Sequence, residues 1–429
     1  MNNTKTTKRA LLSSVVAMLL CVAMLIGTTF AWFTDSASTA VNKIQAGTLK
    51  IQLLAEDGIT SLEGETLSWQ KAAGHTSEEV LWEPGCTYEL QPIVIKNAGD
   101  LALKYRIAIS GIKGSAKLNE AIEWTINGND LDNENHLTAG SYHTLTIKGH
   151  MKEDAGNEYQ GLSIDGIGII VYATQDTVEH DSTTDQYDAT AEYDTAAVTA
   201  AELAAVMTPD SNGVINLEKN YIVTDDWTSL TFSVSPVVIN GNGYTISGLN
   251  KPLVAGNAAS DITINELTIN ASSIGIAANE NGLGTAAFVS YMDANTSATF
   301  KKCHLVNSSV TGNERAAALV SFTSCSTLTI EDCSVENCEI KAVGGAGGLV
   351  GYSSATTTVT NSSVKKTSVT ATEIRAAGKK PVAGGIIGTI QGATTFTGVT
   401  ATEVTVNNNC AISVESELIG RIENGGSIN

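Results

Sequence analysis

A short apolar pattern recurs four times in the second half of the chain. Its copies begin at Ala286, Ala317, Gly347 and Gly384, separated by 31, 30 and 37 residues, and a second apolar strand follows each copy. One such unit is too thin to bury its own apolar face, whereas stacked units share a continuous core. The pattern therefore predicts a right-handed parallel β-helix over residues 206–429. Its repeat core comprises Gly347, Gly348, Leu349, Val350, Gly384, Gly385, Ile386 and Ile387.

The first half of the chain has a different pattern, in which apolar and polar positions alternate between turns. Residues 48–53 alternate as a half-buried strand does, and a turn at Pro84-Gly85 leads into an apolar segment at Ile93. The last strand of this part extends from Ile167 to Gln175. Aromatic residues make up only 5% of the chain, while Gly, Thr, Ser, Asn and Val recur, which favours many short strands and turns. The fold class is therefore predicted to be all-β, with a first unit over residues 32–178.

An acidic tether and a short helix are predicted between the two parts, at residues 179–205. The tether is rich in Asp, Thr and Tyr and lacks apolar periodicity, which indicates an extended segment. Thr199 and Glu202 then stand in the spacing of a capping box. Because stacked β-repeats need covered ends, we expect this helix to cap the β-helix.

Residues 1–31 predict an export signal. A basic segment precedes an apolar run over residues 10–26, which is shorter than the ~20 residues that span a bilayer comfortably. Thr29 and Ala31 occupy the small-residue places for cleavage between Ala31 and Trp32. An uncleaved N-terminal anchor is the alternative. Since no second apolar span or C-terminal sorting motif is found in the sequence, we expect a secreted protein, extracellular or at the cell surface.

The net charge of the chain indicates which classes of partner it can bind. It is −20, and removal of the three basic residues before Ala10 lowers it to −23. Such a surface repels phosphate backbones and anionic lipids, so no nucleic-acid partner is expected. Exposed carboxylates attract divalent cations, and diffuse, weak binding of Ca²⁺ is favoured over a dedicated calcium cage.

No metal site or cofactor is predicted. The chain lacks a His-Glu-x-x-His motif, and its histidines are scattered as surface residues usually are. The segment from Asn129 to Glu134 places carboxylates at alternate positions. It lacks the glycine and the terminal glutamate of an EF-hand, so a solvated loop is favoured over a calcium site.

Residues one repeat apart are expected to share a column of adjacent coils. Cys303 and Cys333 stand in this relation, and either stack inward as thiols or form a disulfide between coils. By the same spacing Lys301 aligns with Glu331, and Lys302 with Asp332. Such pairs stabilise an exposed face. They differ from the clustered carboxylates of β-helix lyases and hydrolases, and the neighbours Asp225 and Asp226 rarely converge in a strand. No catalytic residue is therefore predicted.

Five segments of the first half carry a family resemblance. They are Gly27 with Ala31-Trp32-Phe33-Thr34-Asp35, Ala46-Gly47-Thr48-Leu49, Pro84-Gly85, Asn97-Ala98-Gly99 and Ala173-Thr174-Gln175. In this order and spacing they resemble the TasA/camelysin family of biofilm-matrix proteins, which are exported with a dedicated SipW-type signal peptidase. The resemblance covers about residues 20–178. In the coils, the Gly-Gly-Leu-Val-Gly segment resembles the GLUG-type repeats of secreted bacterial adhesins.

The TasA/camelysin resemblance implies a jelly-roll-like antiparallel β-sandwich. It also implies polymerisation, in which an N-terminal strand completes the sheet of the next subunit. The donor strand would begin with Trp32, Phe33, Thr34 and Asp35 and extend to about Asn42. Pairing of this segment within its own sandwich is the alternative.

These observations favour an exported surface or biofilm-matrix protein that is not an enzyme. Its partners would be other copies of itself, a SipW-type signal peptidase, and a cell-surface glycan or protein bound by the β-helix. The alternative is a monomeric secreted adhesin or glycan-binding protein. A polysaccharide lyase or hydrolase is supported only by analogy of fold.

Overall fold

A computed structural model gives the fold of the chain. It describes residues 34–38, 41–43, 49–63, 65, 67, 69–70, 82–114, 116–130, 133–176, 191–256, 261–275, 284–292, 296–372, 381–408, 418–423 and 426–428. Strands dominate these residues, which confirms the all-β class. None of the helices in these ranges combines the length and the apolar character needed to cross a membrane.

The antiparallel region, residues 34–176, contains twelve strands among its described residues. They are β1 (Thr34–Ser38), β2 (Val41–Lys43), β3 (Ile51–Ala55), β4 (Thr87–Glu89), β5 (Ile93–Asn97), β6 (Leu103–Gly114), β7 (Ile122–Ile126), β8 (Asn129–Asp130), β9 (Asn135–Leu137), β10 (Tyr142–Leu145), β11 (Ile147–Met151) and β12 (Ile164–Gln175). Helix α1 (Ala116–Asn119) and a 3₁₀ turn (Asn157–Tyr159) lie between strands. Three sheets result, with the orders β2-β1-β12-β6-β9, β10-β5-β3 and β4-β11-β7-β8.

Alternating side chains of these sheets form a main apolar core, and a smaller cluster that includes Ile122 and Met151 lies apart from it. Leu53, Ile95 and Val171 are completely buried in the main core, and Tyr105 lies among them. The long pair β6–β12 has irregular register near Gly166, where the pairing shifts twice. Such irregularities bend and twist a strand pair, so one long ribbon can follow the curved surface of the core.

The coil region begins at residue 195 with parallel pairing. Its early elements are β13 (Thr195–Val198), α2 (Ala200–Val206), β14 (Val214–Asn216), β15 (Asn220–Val223), β16 (Val237–Asn240), β17 (Thr245–Ser247), β18 (Ile262–Asn265), β19 (Thr268–Asn270) and β20 (Ser273–Gly275). Next come β21 (Thr285–Ala286), β22 (Val289–Met292), β23 (Ser297–Lys301), β24 (His304–Val306), β25 (Ser309–Gly312), β26 (Arg315–Ala317), β27 (Val320–Thr323), β28 (Thr327–Glu331), β29 (Ser334–Glu336) and β30 (Glu339–Ala342). The last are β31 (Gly345–Gly347), β32 (Val350–Ser353), β33 (Thr356–Thr360), β34 (Ser363–Lys365), β35 (Ser368–Ala371), β36 (Val382–Gly384), β37 (Ile387–Ile390), β38 (Ala393–Thr397), β39 (Thr400–Thr402), β40 (Thr405–Asn408), β41 (Ile419–Ile422) and β42 (Ser427–Ile428).

These strands stack into five parallel sheets, which we number as faces in the order that a coil visits them. Face one is β21-β26-β31-β36, face two β22-β27-β32-β37-β41, and face three β14-β16-β18-β23-β28-β33-β38-β42. Face four is β13-β15-β17-β19-β24-β29-β34-β39, and face five β20-β25-β30-β35-β40. The predicted parallel β-helix is thus observed, with the two apolar strands of each repeat on faces two and three.

A continuous apolar column fills the coils, because strand positions alternate between the inside and the solvent. On face three, Phe300 pairs with Ile330 and Ile330 with Val359, and all three are completely buried. The residues between them point outward, as Thr299 and Thr329 do. Each coil therefore contributes one layer to a shared core, as the repeat pattern predicts.

Helix α2 closes the first end of this column. Thr199 is its N-cap, and the reciprocal contacts with Glu202 that define a capping box are present. Leu203 and Met207 are buried in the same core as the first coils. The predicted capping box and capping helix are therefore confirmed.

The two regions touch through a small apolar cluster. Ala108, Ile170 and Tyr172 of the antiparallel region pack against Ile222 and Ala271 of the coil region. The adjoining segment that begins at Ala191 contributes Tyr193, which meets Tyr172 edge to face at 5.3 Å. This contact brings one side of the antiparallel region next to faces four and five.

Candidate functional site

The predicted cleavage residues Thr29, Ala31 and Trp32 lie outside the described residues, as does Phe33 of the predicted donor strand. Thr34 and Asp35 begin β1, which pairs antiparallel with β12 of the same chain from Thr34↔Thr174 to Ser38↔Ile170. Strand β2 pairs with the other side of β1. The N-terminal strand therefore completes a sheet of its own chain in this structure, which is the alternative arrangement for the predicted donor strand.

The repeat-core glycines lie where face one turns into face two. A methyl group on Gly347 or Gly384 would overlap the carbonyl oxygen of the residue three positions later, and one on Gly348 would overlap that of Gly385. The larger members of the motif, Leu349, Val350, Ile386 and Ile387, are completely buried. These residues thus form a packed corner of the coils and present no side chain to a ligand.

Two further corners of each coil have left-handed backbone, with φ between 42° and 64°. They are occupied by Glu266, Lys302, Asp332, Asn361 and Gly398 between faces three and four, and by Ala271, Asn307, Asn337, Lys366 and Glu403 between faces four and five. At several corners, the next residue is a small one with a hydroxyl or thiol side chain. This side chain accepts a hydrogen bond from a backbone N–H of the preceding coil. Ser362 Oγ accepts from Cys333 at 3.1 Å, and Thr367 Oγ1 from Cys338 at 3.3 Å.

Cys303 and Cys333 occupy one such corner column in adjacent coils, as predicted. Both thiols are buried and free in the structure, and the backbone N–H of Cys303 lies 3.4 Å from Sγ of Cys333. Burial raises the pKa of Cys303 well above the ordinary value for a thiol, and that of Cys338 to about 12. A buried, protonated thiol reacts slowly, so Cys303 is inert in this state. A disulfide between the two residues stays a prediction.

Charged residues of adjacent coils lie in register, and one of them forms its ion pair with a different neighbour than the alignment indicates. Lys301 Nζ lies 3.1 Å from Glu331, as predicted. Lys302 shares its corner column with Asp332, as predicted, but its Nζ forms an ion pair with Glu266 of the preceding coil, 2.7 Å away. Glu266, Lys302 and Asp332 succeed one another in the same corner column, so the lysine pairs with the acidic neighbour on its other side.

The acidic neighbours Asp225 and Asp226 have structural partners. Asp225 accepts the backbone N–H of Ala200 at the start of α2, and Asp226 accepts a hydrogen bond from Asn250 Nδ2 at 2.6 Å. Within the described ranges, no three His, Cys, Asp or Glu side chains lie close enough together to hold a metal ion.

A polar groove, lined by repeated positions of the coils, is the candidate binding site. It has a volume of about 570 Å³. Its floor is the corner column between faces four and five together with the first residue of each strand on face five. The coil residues in the lining are Ala271, Ser272, Ser273, Asn307, Ser308, Ser309, Asn337, Cys338, Glu339, Lys366, Thr367, Ser368, Glu403 and Thr405. Because these positions are in register over five coils, the groove runs along the stack for roughly 19 Å at the usual spacing of strands.

The antiparallel region supplies the opposite wall of this groove. Glu65 and Gly168 line it there, and Gly168 belongs to β12. At the Ala271 end the groove meets the apolar cluster that joins the two regions. The groove is therefore bounded by two parts of the chain that are far apart in sequence.

The groups that face the groove are hydroxyls, amides and a few charges. Ser273 and Ser309 hydroxyls lie 3.2 Å apart, and Asn337 Nδ2 donates to Asn307 Oδ1 at 2.5 Å. Ser308, Cys338 and Thr367 are buried beneath them and bind backbone groups. The outer side chains keep hydrogen-bonding capacity, whereas the buried ones hold the corners.

Negative charge predominates in the groove. Glu65, Glu339 and Glu403 line it with a single ammonium group, that of Lys366. All four side chains belong to exposed residues, and none of them forms an ion pair with another described residue. The lining can therefore accept hydrogen bonds from hydroxyls but repels anionic ligands.

Face two bears an aromatic stripe, formed by residues at the same position in three successive coils: Tyr291, Phe322 and Tyr352. The rings of Phe322 and Tyr352 stack at 5.1 Å with an interplanar angle of 10°. Arg315 covers both, with its guanidinium carbon 4.9 Å from each ring centre. Because the ring faces are used between coils and by Arg315, this stripe stabilises the stack and offers no open platform for a sugar ring.

Comparisons with known proteins identify no relative. No family model matches the chain, and no curated protein does. Among solved structures, the crystal structure of the Agl-KA catalytic domain aligns with 90% of this chain and 99% of its own, at 10% identity and a TM-score of 0.21. A similarity this weak carries no argument about fold or activity.

The groove is not among the sites predicted from the sequence, although the repeats carry a signal for it. Each coil repeats a corner residue followed by a small residue and then a polar one, as in Asn307-Ser308-Ser309 and Lys366-Thr367-Ser368. This polar repeat marks the floor. Its opposite wall has no counterpart in the repeat.

Proposed function

We propose that the protein is an exported surface or biofilm-matrix subunit that assembles by exchange of its N-terminal strand. The observation that supports assembly is the pairing of β1 with β12 in its own sheet. If β1 leaves, β12 presents an edge that the β1 strand of a second copy fills with the same backbone hydrogen bonds. Such exchange of an identical element between copies is a low-cost route to association. When each copy donates its strand to the next, head to tail, a fibre results.

The finer parts of this proposal rest on the resemblance to the TasA/camelysin family. They are a jelly-roll-like antiparallel β-sandwich as the assembling unit, and export through a SipW-type signal peptidase with cleavage before Trp32. The GLUG-like coils would then project from the fibre and present an adhesive surface. We propose no catalytic activity, because Asp225 and Asp226 hold structural hydrogen bonds.

A reversible lock on β1 tests the assembly. Asp35 and Ala173 are register partners, so a D35C/A173C variant of the mature chain can join β1 to β12 by a disulfide. Cys86 and Cys410 are replaced by serine to prevent other pairings. Electron microscopy should show fibres from the reduced variant and only monomers after oxidation, because the locked strand cannot be donated.

Three controls complete this experiment. The single D35C variant should form fibres in both redox states, and a chain that lacks residues 32–42 should form none. Fibres from oxidised protein with an intramolecular disulfide would contradict strand exchange. A soluble monomer under every condition would favour the second candidate, a monomeric secreted adhesin or glycan-binding protein, which the polar groove supports independently.

A further inference from the structure

We propose that the polar groove binds a linear, uncharged, hydroxyl-rich glycan that lies parallel to the axis of the coils. The inference rests on the adhesive part of the proposed function and names the class of its ligand. It does not require fibre formation, since the groove is complete within one chain.

The repetition of the groove indicates a repeating ligand. Ser273, Ser309, Glu339, Ser368 and Thr405 follow one another in register, one from each of five coils. The corner residues from Asn307 to Glu403 form a second row beside them. A linear polymer whose units all carry hydroxyls can therefore meet a hydrogen-bonding group at every step along roughly 19 Å of floor.

The charge of the groove selects among polymers. Glu339 and Glu403 on the floor and Glu65 on the wall accept hydrogen bonds from sugar hydroxyls, and such bonds to a charged acceptor are the stronger kind. The same carboxylates repel uronate, sulfate and phosphate groups, and Lys366 is the one ammonium group that opposes them. An uncharged glycan fits this lining, whereas an anionic polymer does not.

An extended peptide fits less well. Peptides bind sheets by adding to an open strand edge or by placing side chains in apolar pockets. The inner strands of the floor, β25, β30 and β35, are each paired on both sides. Among the lining residues, the apolar side chains are those of Ala271 and the buried Cys338. The groove thus lacks both features that a peptide would use.

Affinity electrophoresis of the oxidised, β1-locked monomer tests the proposal without interference from assembly. Native gels would contain glucomannan, hydroxyethylcellulose or a soluble β-1,3-glucan as neutral probes, with polygalacturonate as the anionic counterpart. At least one neutral polymer should retard the protein, and polygalacturonate should not. Absence of retardation by all three neutral polymers, or stronger retardation by polygalacturonate, would overturn the proposal while leaving strand exchange untouched.

Matched variants locate the binding. Ser309 and Ser368 are outward, partly exposed strand positions inside the groove, and Thr299 is such a position on face three outside it. Tyrosine suits strands and fills the groove, so S309Y and S368Y should each weaken binding by roughly tenfold or more, equivalent to about 1.4 kcal/mol. T299Y should bind like the parent. Equal loss in all three variants, or in none, would refute the assignment of the glycan to this groove.

A charge variant tests selectivity. E339Q/E403Q removes two of the three carboxylates and keeps the shape of the floor. This variant should bind the neutral glycan more weakly, because it loses two charged hydrogen-bond acceptors, and should become measurably retarded by polygalacturonate, most clearly at low salt. Unchanged exclusion of polygalacturonate would show that charge does not select the ligand, and would contradict that part of the proposal.

Discussion

The antiparallel region and the coil region differ in how their sheets end. In the antiparallel region, a sheet is completed by β1, a strand from the beginning of the described chain, which pairs with β12 over five residues. In the coil region, inner strands are paired above and below, and the first end of the stack is covered by α2. A sheet edge that is exposed when a terminal strand leaves can pair with a strand of another copy, whereas strands that are paired on both sides or capped cannot. This difference is the reason that we propose assembly for the first region and ligand presentation for the second.

The largest expected effect comes from removing core volume in one region at a time. Phe300 is completely buried in the coils, 6.4 Å from Phe288, and Leu53 is completely buried in the antiparallel core. Phe300→Ala should cost about 3–5 kcal/mol and Leu53→Ala about 2–5 kcal/mol. Within the described residues the two regions meet mainly through a small apolar cluster, so each substitution should shift its own unfolding transition in urea, followed by circular dichroism. One shared transition that moves equally in both variants would contradict independent unfolding of the two regions.

A smaller effect tests the tight corners of the coils. A methyl group on Gly347 would overlap backbone atoms of the coil, whereas one on Gly275 has nothing within 4 Å. Gly347→Ala should therefore destabilise the coil region by roughly 1–3 kcal/mol, as overpacking does, and Gly275→Ala should have little effect. Urea midpoints of the two variants measure this directly. Equal midpoints would mean that the corner can relax, contrary to its packed geometry.

Removing the N-cap of α2 should change the free energy of unfolding by about 1 kcal/mol. Thr199→Ala removes the N-cap of α2 and should lower the stability of the coil region by that amount. Thr329→Ala, at an outward position on face three, serves as the matched control and should change stability by less than about 0.5 kcal/mol. If thermal unfolding shows no difference between the two, then α2 does not protect the end of the stack.

The smallest effect is a pH dependence confined to the antiparallel region. Burial lowers the pKa of His143, whose ring lies 2.9 Å from the hydroxyl of Tyr105. Above pH 6.5 the ring is neutral in both states, so its contribution to stability is complete. As the pH falls below that value the unfolded chain takes up the proton first, and stability declines through the lower, folded pKa. His143→Gln should flatten this decline in urea midpoints of the first region and leave the coil region unaffected; an unchanged slope would contradict it.

Local and repeated signals made much of the fold predictable. The capping box at Thr199 and Glu202 depends on four consecutive residues, and the pairing of Lys301 with Glu331 depends on a constant coil length. Lys302 has an acidic residue on each side in its corner column, Glu266 and Asp332, so coil length alone could not predict that its ion pair forms with Glu266. The antiparallel strands lack a repeat, so sequence pattern alone predicted their presence without the order of the three sheets.

The stacking of the coils follows from the residue pattern alone, since a pattern that returns once per coil places the same kind of side chain in every layer of the core. The position of the capping helix follows from the sequence as well, because caps are local. The location of the groove depends on the folded arrangement of both regions, because its floor repeats in the sequence but its wall comes from Glu65 and Gly168. The pairing of β1 within its own chain depends on tertiary structure as well. Strands β1 and β12 are far apart in sequence, so their pairing depends on which edge the folded sheets leave open.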